Sequence, residues 1–219
     1  TGRERRGQQR ALIAEAYGRE AAQIADGYHE QVQRLPPGAR QPLVDVAMPA
    51  LRKLPDDARE SVLRTAHLLI AADGRLTVRE FLLFTILKRR LGRDTARPVP
   101  VNYSTIAAVA REAGIVLSLV AMVRLPERPE HAFNAGAVQL REAELPFVAA
   151  SSLRLDSVSD ALDRLNQLAP LAKPQLIKAA TAVAFVDGQT NWKAASSLRM
   201  ICAALDAPLP PQVEQVEAG

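Results

Sequence analysis

Two Asp-Gly pairs and one glutamate are the groups whose spacing comes closest to a metal site: Asp73-Gly74, Asp187-Gly188 and Glu80. The first pair and Glu80 have the spacing of the second half of a calcium-binding EF-hand loop. In that register the first and third ligand positions fall on Leu69 and Ala71, which offer no side-chain oxygen. Because calcium takes about six to eight oxygen ligands, the pattern makes a poor calcium site.

Helix capping explains the same residues better. Gly74 and Gly188 each follow an apolar helix, where a left-handed backbone position is expected and a Cβ atom is penalised. Thr77 and Glu80 have the spacing of a capping box, in which the two side chains satisfy free N–H groups reciprocally. Asn191 is the corresponding cap in the second copy. The sequence therefore predicts structural caps at Gly74, Thr77, Glu80, Gly188 and Asn191, and it leaves Asp73, Glu80 and Asp187 as weaker metal-ligand candidates.

No catalytic arrangement is recognisable in the sequence. His29, His67 and His131 belong to separate predicted elements, and the zinc-protease pattern His-Glu-x-x-His is absent. Cys202 stands alone in an apolar run, which is typical of an inert core thiol in a reducing compartment. We therefore predict no catalytic residue and no bound cofactor within these residues.

Helices have to position these groups. Of the 219 residues, 48% are hydrophobic but only 4% are aromatic, so an aliphatic core is expected. This composition favours helix over strand, and no stretch alternates with a period of two. The longest apolar run, 115–123, is far shorter than a membrane span. The predicted fold class is an all-α helical bundle.

Glycine and proline residues mark the expected ends, breaks and bends of the predicted helices. One or two helices are expected over 8–34, with breaks at Gly18 and Gly27, and Pro49 should bend the next helix. Ser104 is the expected cap of a long apolar helix. The predicted helices are 8–34, 42–54, 55–72, 77–91, 104–124, 129–142, 157–168, 170–186 and 191–205. The tail should fray.

An internal repeat organises the chain. The two Asp-Gly pairs lie 114 residues apart, and each stands between two apolar helices. Because a helical hairpin cannot bury its apolar faces alone, we expect the two hairpins to share a core across a pseudo-twofold axis. The expected divisions are an N-terminal helical segment 1–36, a first half 37–92, a linker 93–102, a second half 103–211 and a frayed tail 212–219.

The formal charge of +4 is a mild basic excess. Basic residues cluster over 3–10, interpreted as an exposed arm, and over 88–97, interpreted as a helix end with a linker. Neither cluster is interleaved with aromatic residues as single-strand binding prefers. Solvated positive charge is therefore the favoured interpretation, and contact with an acidic protein or an anionic membrane surface comes next, ahead of contact with nucleic acid.

The hairpins resemble the TerB-like fold, an all-helical module in which Ala-Asp-Gly precedes a Glu-containing helix. Ala72-Asp73-Gly74 with Glu80 fits this pattern, whereas Val186-Asp187-Gly188 lacks the Glu. A wider resemblance, over nearly the whole chain, is to the region after the protease domain in bacterial membrane-bound zinc metallopeptidases of the HtpX-like group. It is carried by 41–54, by 69–76 with 81–91 behind it, by Tyr103-Ser104 after a Pro-rich linker, and by 205–211.

This resemblance implies that transmembrane helices and the zinc-binding His-Glu-x-x-His domain lie upstream of Thr1. The chain would then be a soluble, non-catalytic region of a metalloendopeptidase, on the cytoplasmic face of a bacterial inner membrane. Its expected role is regulatory or recruiting, toward the upstream protease domain, substrates or partner proteins. Two alternatives stay open: a TerB-like metal-responsive module using Asp73, Glu80 and Asp187, and a basic helical nucleic-acid binder.

Overall fold

The described residues form helices that are joined by turns and by irregular segments, of which 141–154 is one. The computed structural model describes residues 2–40, 42–72, 77–92, 99–189 and 191–218. Within these ranges it contains eleven α-helices and no β-strand, which confirms the predicted all-α class. The helices are α1 Gly2–Tyr17, α2 Arg19–Arg34, α3 Pro42–Arg52, α4 Asp56–Ala71, α5 Val78–Leu91, α6 Ala110–Arg124, α7 Pro129–Ala137, α8 Leu155–Asn166, α9 Lys173–Ala184, α10 Trp192–Ala204 and α11 Pro211–Ala218.

The chain divides into an N-terminal unit, Thr1–Ala96, and a C-terminal unit, Arg97–Gly219. The division falls inside the stretch 93–102 that the sequence suggests as a linker, although 93–98 lie outside the described residues. Charge is distributed unequally between the units. The first contains 17 Lys and Arg against 12 Asp and Glu, whereas the second contains 11 against 12.

In the N-terminal unit α1 packs against α2 and α4, α4 packs against α5, and α3 packs against α5. Gly18 separates the first two helices with a φ of 91°, a left-handed value that suits glycine. The second predicted break is wrong, because Gly27 lies within α2. Pro49 lies inside α3, and the predicted bend stays a prediction. The buried apolar side chains of this unit are Ala22, Met48, Phe81, Leu82, Ile86 and Leu91.

The C-terminal unit is built around α6, which contacts α7, α8, α9 and α10. Small residues allow the surrounding helices to approach closely. A Cβ atom on Gly136 of α7 would overlap the Val183 side chain and the Ala179 backbone of α9. Since neither neighbour can give way easily, only glycine fits this crossing.

Three helix ends in this unit differ from the sequence-based prediction. Ser104 does not cap α6, which is entered through a 3₁₀ turn, Ile106–Val109, that has no side-chain cap. The helix expected over 129–142 ends as α7 and continues as a 3₁₀ turn, Val138–Leu140. The tail, which is expected to fray, forms α11, in which Val213 is buried and which packs against α10.

One helical stretch among the described residues, Ile106–Arg124, is long and apolar enough to cross a membrane by length and composition. This corrects the expectation that no segment approaches that length, which considered uninterrupted apolar residues alone. The stretch is largely buried within its unit, as the core helix of a folded domain is. It is therefore weak evidence for a membrane span.

The apolar faces of the second hairpin are buried inside the C-terminal unit. Ile177, Ala180 and Ala184 of α9 are buried, as are Leu198 and Ile201 of α10, and both helices contact α6. The hairpin thus finds an apolar partner in its own unit. The shared core with the first hairpin stays a prediction.

Candidate functional site

The second Asp-Gly pair occupies a strained turn between α9 and α10. Asp187 has a φ of 64° and Gly188 a φ of 66°, so two consecutive residues are left-handed. The position of Gly188 agrees with the predicted glycine conformation, but it ends a 3₁₀ turn, Val186–Gly188, rather than α9 itself. A left-handed residue other than glycine costs about 1–2 kcal/mol, so surrounding contacts have to hold Asp187 in place.

Those contacts come from the end of α6. The guanidinium of Arg124 donates a hydrogen bond of 3.0 Å from Nη2 to the Val186 carbonyl, and the Arg124 side chain is buried. Its Nε atom has no hydrogen-bond partner among the described residues. On the far side of the turn, the Asn191 side-chain amide lies 3.5 Å from the Arg124 carbonyl as donor. Arg124 therefore binds both sides of the turn.

Asn191 is the N-cap of α10, as predicted. Its side-chain oxygen accepts hydrogen bonds from the backbone N–H groups of Lys193 and Ala194, at 2.9 and 3.3 Å. These bonds satisfy two of the N–H groups that a helix start leaves free. The side-chain nitrogen and oxygen of Asn191 therefore both make structural hydrogen bonds.

His131 of α7 also lies beside this turn. Its Nε2 atom lies 3.5 Å from Oδ1 of Asp187, and both side chains are about half exposed. Imidazole and carboxylate are ordinary zinc ligands, but a structural zinc site takes about four. No group of three or more His, Cys, Asp and Glu that could hold a metal occurs in the described ranges. His131 and Asp187 alone therefore form an incomplete donor set.

In the first hairpin, the predicted capping box is present at the start of α5. The Glu80 N–H donates to the Thr77 hydroxyl at 3.2 Å, and the Thr77 N–H donates to Oε2 of Glu80 at 3.1 Å. The Thr77 hydroxyl also donates to Oε2 at 2.8 Å. Asp73 and Gly74, predicted as a metal-ligand candidate and a cap, lie outside the described residues.

The second carboxylate oxygen of Glu80 is bound by Arg5 of α1. The guanidinium lies 2.6 Å from Oε1 and joins the N-terminal helix to the hairpin. Partial burial disfavours the ionised carboxylate, but the hydrogen bonds from Thr77 and the charge of Arg5 outweigh that effect and lower the pKa of Glu80. Both oxygens are occupied by protein donors, so Glu80 acts as a structural anchor.

Cys202 and the remaining histidines are placed as ordinary structural residues. The thiol of Cys202 is buried in α10, and this burial raises its pKa to about 12. A thiol with that pKa holds almost no thiolate near neutral pH and is a poor nucleophile. The ring of His67 packs against Phe84 with 5.3 Å between ring centroids, while His29 is exposed on α2.

The basic cluster expected as an exposed arm is instead part of α1. Arg6 pairs with Asp26 and Glu30 of α2, and Arg10 also pairs with Asp26. Much of this positive charge is thus balanced inside the N-terminal unit. In the second cluster, Arg90 of α5 pairs with Asp45 of α3 at 3.0 Å.

A groove that the sequence analysis missed opens in the C-terminal unit. It encloses about 620 Å³ between the start of the 3₁₀ turn at Ile106, the segment 138–143 and the first turns of α9. Arg141 and Lys178 are its basic residues and Glu142 its acidic one. Leu171, in the loop before α9, is 91% exposed at this groove. No local pattern marks these residues, because three segments distant in sequence converge there.

Comparisons of the chain with family models, curated proteins and solved structures found no match. The likeness to the TerB-like fold and to the region following a zinc protease therefore remains a prediction from the residues that carry it. Function has to be argued from the groove and from the roles of the chemistry-bearing side chains.

Arg124 was also missed by the sequence analysis. The residue ends the apolar run of α6, and a lone cation after eleven apolar or small residues is a usable indication of a buried contact. Its partner Val186 is 62 residues away, so the contact itself could not be derived from local spacing.

Proposed function

We propose that this chain is a non-catalytic docking region of a larger, membrane-anchored zinc metallopeptidase, where it recruits protein substrates or partners. The observation that carries the docking role is the groove of about 620 Å³ in the C-terminal unit, whose lining mixes apolar and charged side chains. A volume of this size lies within the range of ligand-binding clefts. The link to a peptidase rests on the sequence resemblance.

The residues that the sequence marks as candidates for chemistry make structural contacts, which supports the proposal of a non-catalytic region. Glu80 is held by Thr77 and Arg5, and Cys202 is buried with a raised pKa. Asn191 caps α10. In a docking region such residues serve to hold the scaffold, which leaves the surface free to determine specificity.

The experiment compares the product of the longest reading frame that contains this chain with a variant lacking the chain. We expect both to cleave a short fluorogenic peptide at similar rates in a chelator-sensitive reaction. Cleavage of a protein substrate such as casein should fall in the deletion variant, and the isolated chain should cleave neither substrate. Chelator-sensitive proteolysis by the isolated chain, or a reading frame without a His-Glu-x-x-His segment, would contradict the proposal.

A metal-responsive module is the second candidate, because His131 lies beside Asp187 on the strained turn. Calorimetry with Ca²⁺, Zn²⁺ and Mn²⁺ tests it directly. Micromolar binding that is lost in both His131→Ala and Asp187→Asn would favour the metal-responsive module. Heat changes that these two substitutions leave unaltered would exclude this site as the cause.

A further inference from the structure

The groove offers one apolar contact surface and one charged edge. Its floor contains Ile106, Leu140 and Ala172, which are buried. At its rim stand Leu171 and Val138, which are 91% and 51% exposed. Two exposed aliphatic side chains above an apolar floor can enclose the side chain of a bound ligand and remove apolar surface from water.

Charge at the groove is opposite in sign to that of its unit. The groove lining contains two cations, Arg141 and Lys178, and one carboxylate, Glu142, whereas the residues from Arg97 to Gly219 have one more acidic than basic side chain in total. Neither Arg141 nor Lys178 forms an ion pair with another residue in the part of the chain that the structure describes. These two cations therefore have capacity for an anionic group of a ligand.

We propose that this groove binds a short linear peptide in which a Leu-like side chain adjoins Asp or Glu. The apolar side chain would pack between Leu171 and Val138, and the carboxylates would pair with Arg141 and Lys178. The groove opens to solvent beside the exposed side chains of Leu171 and Val138, which suits a peptide that continues beyond it at both ends. This inference rests on the proposed docking role and names the chemistry of the docked segment.

The test uses the whole chain and three fluorescein-labelled peptides in fluorescence anisotropy. The acidic probe is Gly-Asp-Leu-Glu-Leu-Asp-Gly; the second probe has Lys in place of every acidic residue, and the third has Ser in place of both leucines. We expect saturable binding of the acidic probe alone, weakening as salt is raised from about 0.05 to about 0.5 M. Equal binding of the acidic and basic probes would overturn the charge assignment.

Substitutions at the groove and outside it test where the acidic probe binds. Because Leu171 is almost fully exposed, Leu171→Ser should leave the fold intact and weaken binding of the acidic probe about tenfold. Arg141→Gln and Lys178→Gln should each weaken it about two- to fivefold. The matched controls are Val46→Ser, another exposed aliphatic residue, and Lys193→Gln, an exposed cation outside the groove lining. Both controls should bind like the parent chain.

The outcomes separate this inference from the proposed function. If deleting the chain abolishes casein cleavage but the acidic probe does not bind, the proposal that the groove binds acidic peptides is overturned. The proposed docking role of the chain is then retained. If Leu171→Ser and Arg141→Gln weaken binding of the acidic probe but the reading frame contains no peptidase segment, the peptide-binding role of the groove is supported. The proposed function is then overturned. Binding that every variant retains would place the peptide elsewhere and overturn the groove.

Discussion

Arg124 and Val186 are joined by a hydrogen bond of 3.0 Å that connects the end of α6 to the strained turn before α10. The donor is a buried guanidinium and the acceptor is the carbonyl just before the left-handed Asp187. A carbonyl in this position fixes the direction in which the turn leaves α9. The bond therefore links the core helix to the conformation of the second hairpin.

We predict that Arg124→Leu lowers the free energy of unfolding by about 1–3 kcal/mol, because the Val186 carbonyl loses its donor. The measurement is urea denaturation followed by circular dichroism. Arg128→Leu, which changes an exposed arginine in the loop between α6 and α7, should alter stability by no more than about 0.5 kcal/mol. A gain in stability for Arg124→Leu would mean that burying the cation costs more than its bond contributes.

The capping box of α5 gives a pH-dependent prediction. The pKa of Glu80 is lowered on folding, so its carboxylate stabilises the fold above the ordinary pKa of about 4.3, and that stabilisation is lost as the pH falls through the lowered value. Glu80→Gln should therefore be less stable than the parent chain at pH 7, and the difference should shrink as the pH is lowered.

Thr77→Ala is the control for this prediction, because it removes the other half of the capping box. It should cost about 1 kcal/mol at pH 7. If Glu80→Gln instead loses divalent-metal affinity while its stability is unchanged, the assignment of a structural role to Glu80 is wrong.

Two glycines should respond to alanine with opposite signs. Gly188 is left-handed, so Gly188→Ala should destabilise the chain by about 1 kcal/mol. Gly27 lies inside α2, and a Cβ atom added there would meet open space, so Gly27→Ala should stabilise the chain by about 0.5–1 kcal/mol. Thermal unfolding of both variants measures the two effects. Shifts of the same sign would contradict the assigned backbone conformations.

Core truncation tests how the units unfold. Ile201 is fully buried, so Ile201→Ala should cost about 2–5 kcal/mol. Leu87 is only partly buried, so Leu87→Ala should cost less than Ile201→Ala. A shared core predicts one calorimetric transition that both substitutions move. Two transitions, each moved by one of them, would show that the units unfold independently.

Local patterns predicted most of the fold. The capping box at Thr77 and Glu80 and the cap at Asn191 were predictable because their partners lie within three residues. The left-handed Gly188 followed from glycine in a helix-ending turn. In each of these cases, the sequence near the residue contains all the groups that make the contact.

Contacts between distant segments could not be predicted in this way. Val213 is buried by packing of α11 on α10, although its own neighbourhood is rich in Pro, Gln and Glu. Arg5 reaches Glu80 across 75 residues. The groove depends on Arg141, Leu171 and Lys178 from separate segments. A single sequence without its fold does not bring such residues together.

The burial of α6 has a consequence for synthesis of the chain. The helix is translated well before most of the elements that cover it, and α10 is completed about 80 residues after Arg124. At ordinary rates of translation, this interval lasts about 4–16 s. During that time the apolar surface of α6 stays exposed to water. It can therefore bind other apolar surfaces. We therefore expect the newly made chain to be prone to chaperone binding until α10 has emerged from the ribosome.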